Sequence, residues 1–398
     1  HTISRRQRQM CIRDSPAKDR NGGLTRLTKL TRLTTPAPDI SASRLLAATR
    51  EWTEMTDSLG TMEDLPEDYR AAMQAAGVAP LWPMMRNVLP HGAPAPVTQT
   101  GHWTYSSVRP LLLQAGELTP VEKAERRVLV LSDPGRGTGA MQATSTIYLG
   151  MQLLLPGETA PAHMHTPSAA RIIVEGSGAF TVVDGERLPM EEGDLVLTPG
   201  GEWHDHGHDG EAPVIWLDAL DLPLFVYLEG SYAVEGDLQA QRNRPDASQV
   251  EYLSAGLAPS RSTSRPRRYP MMRYPWQRTE AALREMARFG DADLPELDYV
   301  NPETGADVLP TMGFTAMMLP EGSTSAPPRR SCSSAFHVVR GRGRTRIDGK
   351  TVEWGEKDTF SVPVFAVVEH EADTEAFLVR VHDRPLQEKL GYYEERAR

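Results

Sequence analysis

The sequence predicts an all-β chain, with some helices near its N-terminus and in its linker, in which one barrel is present twice. Short runs rich in β-branched residues, such as RIIVEG at 171–176, are separated by turn residues, which is typical of strands. The turns repeat at an offset of 164 or 165 positions: GSG at 176–178 recurs as GRG at 341–343, and DG at 184–185 recurs at 348–349. Because a repeat of this kind indicates a duplicated folding unit, two barrels are the simplest account of the chain.

The repeat and the local composition divide the 398 residues into five predicted segments. The beginning of the chain is basic and polar and lacks the apolar core of a secretory signal, so we expect disorder there, or a sequence foreign to the native protein. The segments are a leader at 1–40, a helical N-terminal segment at 41–98, a first barrel with a metal site at 99–230, a linker and helix at 231–300, and a second barrel without the metal triad at 301–398.

Composition and charge exclude several classes of partner. The formal net charge is −10 and the chain shows no stripe of lysine or arginine, which argues against nucleic-acid binding. No apolar run approaches the ~18 residues that a membrane span requires, so we expect a soluble protein without a membrane partner. The two cysteines, Cys11 and Cys332, are far apart and suggest no disulfide framework. This cysteine usage fits a reducing compartment, the cytoplasm.

The remaining elements follow from local patterns along the chain. Helix formers predominate in 41–78, and TEAALREMARFG at 279–290 predicts a helix before the second barrel. Apolar runs predict strands at VLVLSDPG (128–135), TSTIYLGMQLLLPGE (144–158) and PVIWLDALDLPLF (213–225), where the last run predicts a buried strand and then a turn. The middle run leads directly into a stretch that is rich in histidine.

Five of the eleven histidines lie between 157 and 208. His163 and His165 are two positions apart, so on a strand both rings leave the same face. His204 follows about forty residues later, after turn signals that allow two or three intervening strands. Three imidazoles brought together in this way would form one side of a metal site and leave positions open for other ligands. Spacing alone leaves the metal undecided, because three histidines suit zinc as well as ferrous iron.

The second copy of the barrel has lost these ligands. Pro328, Arg330 and Val368 stand in the positions that correspond to the three histidines. His337 and His370 remain nearby without the matching partners. We therefore expect the second barrel to be structural.

Two spacings in the histidine stretch resemble the motifs of the cupin family. The chain departs from the cupin pattern at one point: the glutamate that cupins often carry after the paired histidines is missing, since 166–170 reads TPSAA. The first motif is matched by Gly157, His163-x-His165 and Gly176, and the second by Gly193, Pro199-x-Gly201 and His204.

Within the cupins, the chain resembles the gentisate 1,2-dioxygenase family, including its salicylate and 1-hydroxy-2-naphthoate branches. The resemblance implies a bicupin of two double-stranded β-helix (jelly-roll) barrels, with Fe(II) bound by the three histidines of the first barrel. It also implies a homotetramer that cleaves the ring of a 2-hydroxybenzoate, foremost gentisate, which reacts with O₂ to give maleylpyruvate. The matching stretches are RPLLLQAGEL, AERRVLVL, PAHMHTPSAARIIVEG, TPGGEWHDHGHDG, WLDALDLPL, YVNPETG and HDRPLQEKLGYY.

Five further residues are candidates for contact with the substrate. His206 lies two positions after His204, so it would share its face, and the resemblance implies a catalytic hydrogen bond to a substrate oxygen or to the oxygen intermediate. Arg127 and Arg171 are candidates for binding the substrate carboxylate, because a guanidinium can bind a carboxylate through two hydrogen bonds. Gln152 is expected to position the carboxylate or the ligands, and Asp218 to receive a ring hydroxyl.

Three alternatives stay open on the sequence alone. The substrate could be salicylate or 1-hydroxy-2-naphthoate, since a small change in pocket shape is enough to shift specificity. A zinc- or manganese-dependent isomerase or hydrolase would turn over its substrate without O₂. A cupin that only binds small aromatics would bind ligand and form no product.

Overall fold

The computed structural model describes residues 60–236, 245–252, 257–260, 267–290 and 294–397. The predicted leader at 1–40 and the helix formers at 45–52 lie outside the described residues. The chain divides into two compact units, His1–Pro90 and His91–Arg398. None of the helices within the described ranges combines the length and the hydrophobicity needed to span a bilayer.

The described part of the first unit is helical. Its main helix follows Pro66, and Glu67 and Asp68 lie in its first turn, where their charge is stabilised by the helix dipole. Its helices are α1 (Glu67–Ala75), a 3₁₀ turn (Trp82–Met84) and α2 (Met85–Val88).

The second unit consists mainly of antiparallel strands. Those of its first half are β1 (His102–Trp103), β2 (Arg127–Val130), β3 (Tyr148–Leu154), β4 (Thr159–His165), β5 (Ala169–Glu175), β6 (Ala179–Val183), β7 (Glu186–Met190), β8 (Leu195–Thr198), β9 (His204–His208), β10 (Val214–Leu220), β11 (Ala233–Glu235) and β12 (Arg273–Tyr274). Those of its second half are β13 (Glu296–Asp298), β14 (Gly313–Leu319), β15 (Thr324–Ser325), β16 (Arg329–Arg330), β17 (Ser334–Arg340), β18 (Gly343–Ile347), β19 (Lys350–Trp354), β20 (Thr359–Val362), β21 (Val368–Ala372), β22 (Ala376–His382) and β23 (Glu395–Arg396).

Short helices connect the strands of this unit. They are α3 (Tyr105–Leu118), α4 (Val121–Ala124), α5 (Leu222–Tyr227), α6 (Ala247–Glu251), α7 (Trp276–Phe289) and α8 (Arg384–Leu390). Helix α7 covers the predicted helix at 279–290. Helix α5 stands where a turn was predicted after the buried strand.

Each half of the second unit contains two sheets around its own apolar core. In the first half the sheets have the orders β12-β8-β5-β10-β3-β2 and β11-β4-β9-β6-β7. In the second half the orders are β1-β20-β17-β22-β14-β13 and β15-β21-β18-β19, and β16 pairs with β23. The predicted all-β fold with two barrels is confirmed.

The two barrels exchange edge strands. Strand β1 precedes the first barrel in sequence, yet it pairs with β20 of the second barrel. Strand β12 precedes the second barrel in sequence, yet it pairs with β8 of the first barrel. A third apolar core joins the two six-stranded sheets and includes Leu149 and Leu217 from the first barrel and Phe377 and Val379 from the second. The barrels are therefore parts of one packed structure.

A pair of equivalent aspartates also links the barrels. Asp383 precedes α8 in the second barrel and accepts a hydrogen bond from Thr146 of the first, at 2.7 Å. Asp221 precedes α5 in the first barrel and accepts one from Thr311, which leads into the second. Burial raises the pKa of each aspartate to about 6. Both carboxyls are therefore harder to ionise in the folded chain than in the unfolded one.

The Asp383→Asn variant is expected to gain stability relative to the wild type as pH rises. Folded Asp383 keeps its proton up to about pH 6, whereas the unfolded side chain loses it near pH 4. Its contribution to stability is therefore complete below about pH 4 and is lost as pH rises through 6, by at most ~3 kcal/mol. Denaturant unfolding of both proteins between pH 4 and 7 measures this difference. A difference that does not change with pH would contradict the assignment.

Candidate metal centre

Three histidines meet inside the first barrel. His163 and His165 lie on β4, and His204 lies on β9 directly opposite His163. One ring nitrogen from each of the three lies within 4.8 Å of the others. The ring centroids of His163 and His204 are 4.0 Å apart, and those of His165 and His204 are 4.7 Å apart. The pairing of β4 with the returning strand β9 brings the three rings together.

Backbone carbonyls hold the second nitrogen of each ring. Because a carbonyl only accepts, Nδ1 carries the proton and Nε2 keeps its lone pair. His204 Nε2 is buried and makes no hydrogen bond within the described residues. Three lone pairs gathered at one place are a donor set for a divalent transition metal, so these residues fit such an ion. The Nδ1 partners are the carbonyl oxygens of Pro161 for His163 at 3.1 Å, Pro167 for His165 at 2.7 Å and Glu202 for His204 at 3.0 Å.

The electrostatic environment keeps the three rings neutral. Burial, assisted by the charge of Arg126, lowers the pKa of His163 to about 3. Burial also lowers the pKa of His165 to about 4 and the pKa of His204 well below its ordinary value. At neutral pH the imidazoles are therefore free of a proton that would compete with a metal.

His206 lies beside the triad and is positioned by a threonine. Its ring centroid is 5.8 Å from that of His204, and its Nδ1 is 2.9 Å from Thr181 Oγ1 on β6. The Thr181 hydroxyl donates to Met190 Sδ at 3.4 Å, so it accepts from His206 Nδ1–H. His206 Nε2 is buried and unpaired among the described residues, and this arrangement leaves its lone pair available.

Arg171 on β5 and Asp218 on β10 form a buried ion pair across the two strands. Arg171 Nε is 3.2 Å from Asp218 Oδ1, and Arg171 Nη1 donates to Thr198 Oγ1 at 2.6 Å. Arg171 Nε makes no hydrogen bond to another described atom, and Asp218 interacts in addition with the Trp216 side chain. The charge of Arg171 also lowers the pKa of His204 and of His206, although burial is the larger cause for both. The pair therefore lies near the triad, and Arg171 Nε is able to donate a hydrogen bond to a bound molecule.

Strand β3 adds a polar residue and a tyrosine to the same region. Gln152 is 2% exposed and lies opposite Trp216, whose ring centroid is 5.5 Å from that of His206. Tyr148 lies four residues before Gln152, on the same face, and burial raises its pKa, with a further contribution from Asp218. No motif or spacing in the sequence distinguishes Tyr148 from the other aromatic residues.

The structure does not bring Arg127 to this group. Arg127 forms an ion pair with Glu158 and donates to the carbonyl of Gly116 at 3.4 Å. The neighbouring Arg126 has the same strand parity as Val128, which lies opposite Gln152, and its charge contributes to the lowered pKa of His163. Arg126 and Arg127 occupy consecutive positions and point to opposite sides of the strand, and substrate binding by Arg127 stays a prediction.

The corresponding part of the second barrel lacks a triad. Arg330 forms an ion pair with Glu395 at 3.2 Å, and Val368 lies opposite Ile347 as His204 lies opposite Val183. His370 retains its threonine partner, with Nδ1 2.9 Å from Thr345 Oγ1. Within the described residues, His163, His165 and His204 form the only group of three such side chains that could hold a metal ion.

Three comparisons with known proteins agree with this arrangement. The family model for a cupin domain matches residues 150–220. A gentisate 1,2-dioxygenase of Ralstonia sp. is 49% identical over 352 residues, which cover 86% of this chain and 98% of the relative. A 5-aminosalicylate 1,2-dioxygenase of Comamonas sp. is 35% identical over 350 residues, which cover 86% of this chain and 92% of the relative.

A solved structure shows the same fold. The salicylate 1,2-dioxygenase of Pseudoaminobacter salicylatoxidans, crystallised as adducts with gentisate, has a TM-score of 0.78 and 31% identity, and covers 83% of this chain and 94% of its own. Such identity over nearly the full length of the relatives exceeds what a shared fold alone requires. The chain belongs to the gentisate 1,2-dioxygenase family of cupin ring-cleaving dioxygenases.

Proposed function

We propose that this chain is an Fe(II)-dependent gentisate 1,2-dioxygenase that converts gentisate and O₂ to maleylpyruvate. The observation that carries the proposal is a neutral histidine triad beside a buried arginine–aspartate pair, in a chain 49% identical to a gentisate 1,2-dioxygenase. Membership of a dioxygenase family argues against the isomerase, hydrolase and binding-only alternatives.

The metal ligands in this proposal are His163, His165 and His204. Their Nδ1 atoms are fixed by backbone carbonyls, so the rings are oriented before a metal binds. Because all three ligands are neutral, a bound dication keeps its full charge for the anionic groups of a 2-hydroxybenzoate. Ferrous iron would supply electron transfer between an electron-rich ring and O₂, which zinc cannot.

Two arginines and an aspartate are proposed to orient the substrate. Arg171 and Arg126 supply positive charge for the substrate carboxylate. Arg171 Nε makes no hydrogen bond within the described residues, so it can donate one to that carboxylate. Asp218 Oδ1 pairs with Arg171 Nε at 3.2 Å, and its second lone pair is suited to a ring hydroxyl of gentisate that salicylate lacks. Gln152 lies on the inner face of the same sheet and can donate to a carboxylate oxygen.

His206 is proposed as the catalytic base. Its Nδ1–H is held by Thr181, which leaves Nε2 to accept a proton from a substrate hydroxyl. Burial and the nearby Arg171 lower the pKa of His206 well below its ordinary value, so the ring is neutral before substrate binds. Thr181 is a positioning residue, because it acts only through the orientation of the His206 ring.

The His206→Ala variant is expected to keep its metal and lose about 10²–10⁴-fold in kcat, the range that general acid–base catalysis contributes. His370→Ala is the matched control, because His370 makes the same contact with a threonine in the second barrel. Steady-state kinetics and metal analysis of both iron-loaded variants measure the effect. Equal losses of kcat in the two variants would contradict a catalytic role.

The substrate is tested with iron-loaded protein and a panel of gentisate, salicylate, 5-aminosalicylate and 1-hydroxy-2-naphthoate. We expect the highest kcat/KM for gentisate, because salicylate and 1-hydroxy-2-naphthoate lack a donor at the position of its second hydroxyl and the amino group of 5-aminosalicylate is a weaker donor to Asp218 than that hydroxyl. A higher kcat/KM for salicylate or 1-hydroxy-2-naphthoate would show that this compound, and not gentisate, is the preferred substrate. No O₂ consumption with any member of the panel would contradict the proposal.

We also propose that the enzyme works in the cytoplasm as a homotetramer. The support is the family resemblance and a group of exposed apolar side chains on α5, β11 and the loop between them, since such patches often lie in interfaces. Sedimentation of the full chain tests the assembly, and a monomer at micromolar concentration would contradict it. The exposed side chains are Val226, Tyr227, Leu228, Tyr232 and Val234.

A further inference from the structure

A buried aspartate is connected to a proposed metal ligand through one peptide group. Asp221 is 2% exposed and precedes α5, and its Oδ1 accepts a hydrogen bond from the backbone N–H of Ser168 at 2.7 Å. The carbonyl of the same peptide group belongs to Pro167, and it accepts the hydrogen bond from His165 Nδ1–H at 2.7 Å. The Asp221 carboxylate and the His165 ring therefore bind opposite ends of one peptide group.

Hydrogen bonds at the two ends of a peptide group strengthen each other. The group is planar and conjugated, so an acceptor at its N–H shifts electron density toward its carbonyl oxygen. A charged acceptor has the larger effect, because hydrogen bonds to an ionised group are roughly twice as strong as neutral ones. The Pro167 carbonyl is thereby a stronger acceptor for His165 Nδ1–H, and a ring that donates a stronger hydrogen bond is a more basic ligand at Nε2.

The second barrel contributes a contact to this aspartate. Thr311 lies two residues before β14, and its hydroxyl donates to Asp221 Oδ2. Burial raises the pKa of Asp221 to about 6, while the hydrogen bonds from Thr311 and from the Ser168 backbone oppose that rise. The carboxyl is therefore ionised at pH 8, and both of its oxygens are bound.

The second barrel repeats the aspartate without the imidazole. Asp383 N–H donates to the carbonyl of Ser333 at 3.4 Å, and the equivalent bond in the first barrel, from Asp221 to Ser168, measures 3.3 Å. Arg330 stands where the second ligand histidine stands in the first barrel. Support of the turn is thus common to both barrels, whereas the connection to an imidazole is specific to the first.

We propose that Asp221 is a positioning residue of the metal centre and raises the basicity of His165 through the Pro167–Ser168 peptide group. The inference rests on the proposed function, because it takes His165 as a metal ligand. Through Thr311, the second barrel also acts on the centre of the first, although it supplies no ligand of its own.

Co(II) affinity of the full chain at pH 8, measured by competition with a chelator, tests the proposal. Asparagine has the size of aspartate and can still accept from Ser168 N–H, so Asp221→Asn removes the charge and keeps the contact. We expect it to weaken Co(II) binding by about 3–10-fold, less than the ~10–100-fold that changing a direct partner of a ligand costs. Asp383→Asn is the matched control and should bind Co(II) as the wild type does.

The midpoint potential of bound iron separates this role from a general loss of structure. A less basic His165 stabilises the ferric state less, so the potential should rise in Asp221→Asn and stay unchanged in Asp383→Asn. Both variants remove a carboxyl whose pKa is raised by burial, so both should fold. Asp221→Ser offers a smaller neutral acceptor and should change affinity and potential in the same direction, in case Asp221→Asn does not fold.

Two results would overturn the proposal. The first is wild-type Co(II) affinity and midpoint potential in Asp221→Asn. The second is an equal change in Asp383→Asn, since the effect would then come from the support of the turn that both barrels share. A wild-type chain that binds no Co(II), or a His165→Ala variant that binds it equally well, would instead contradict the proposed function on which the inference rests.

Discussion

His204→Ala is expected to give a folded chain that neither retains iron nor consumes O₂ with gentisate. His204 is fully buried, and its backbone-held ring supplies one of only three ligands in the proposed site. Changing an outer partner of a metal ligand already costs about 10–100-fold in affinity or activity, and loss of the ligand itself should exceed that range. Metal analysis after anaerobic loading and gel filtration measures iron retention, and an oxygen electrode measures activity.

His208→Ala is the matched control on the same strand. Its ring contacts the carbonyl of Ala212 at 2.6 Å and takes no part in the triad. This variant should retain iron and ring cleavage even if its stability falls. Iron retention in His204→Ala equal to that in His208→Ala would rule out the triad as the metal site.

Arg171→Met is expected to impair both stability and substrate binding. It leaves Asp218 buried without its ion-pair partner, and breaking a buried ion pair costs about 3–5 kcal/mol. It also removes a charged donor for the substrate carboxylate, which at ~1.5–3 kcal/mol corresponds to a rise in KM of about tenfold or more. Denaturant unfolding and steady-state kinetics of the iron-loaded variant measure the two effects.

A double variant separates the two effects. Arg171→Met with Asp218→Asn removes the unpaired charge and should recover much of the lost stability. Its KM for gentisate should stay high, because the carboxylate donor is still missing. Recovery of wild-type KM together with stability would show that Arg171 only supports the fold.

The sequence was sufficient to predict the barrel fold and the grouping of the triad because both depend on strand periodicity. His163 and His165 share a face by alternation, and the turns between them and His204 fix where the chain returns. The same alternation placed Arg171 opposite Asp218, on the inner face of its sheet. The ligand roles of the three histidines, and the contacts of Gln152 and Asp218 with substrate, stay predictions.

The choice between Arg126 and Arg127 could not be made from the sequence. The run VLVL that follows them is apolar at every position, so it does not show which parity faces the interior. Pairing of β2 with β3 decides the matter, since Val128 lies opposite Gln152 and Arg127 lies opposite Leu153 of the core between the barrels. That pairing is a tertiary feature.

The exchange of strands β1 and β12 between the barrels also could not be predicted from local sequence patterns. Strands β1 and β12 are two residues long, and each pairs with a strand far away in sequence. So short a segment carries no periodicity, and its position is set by the sheets that it joins. The predicted boundaries at 99–230 and 231–300 take no account of this exchange and remain predictions.

The most direct test of the account is the stoichiometry of O₂ consumption by the anaerobically iron-loaded chain with gentisate. The proposed function predicts that one molecule of O₂ disappears for each gentisate converted and that no product forms without O₂. Product formation under strict anaerobiosis, or bound iron without any O₂ consumption, would contradict ring cleavage by a dioxygenase at this triad.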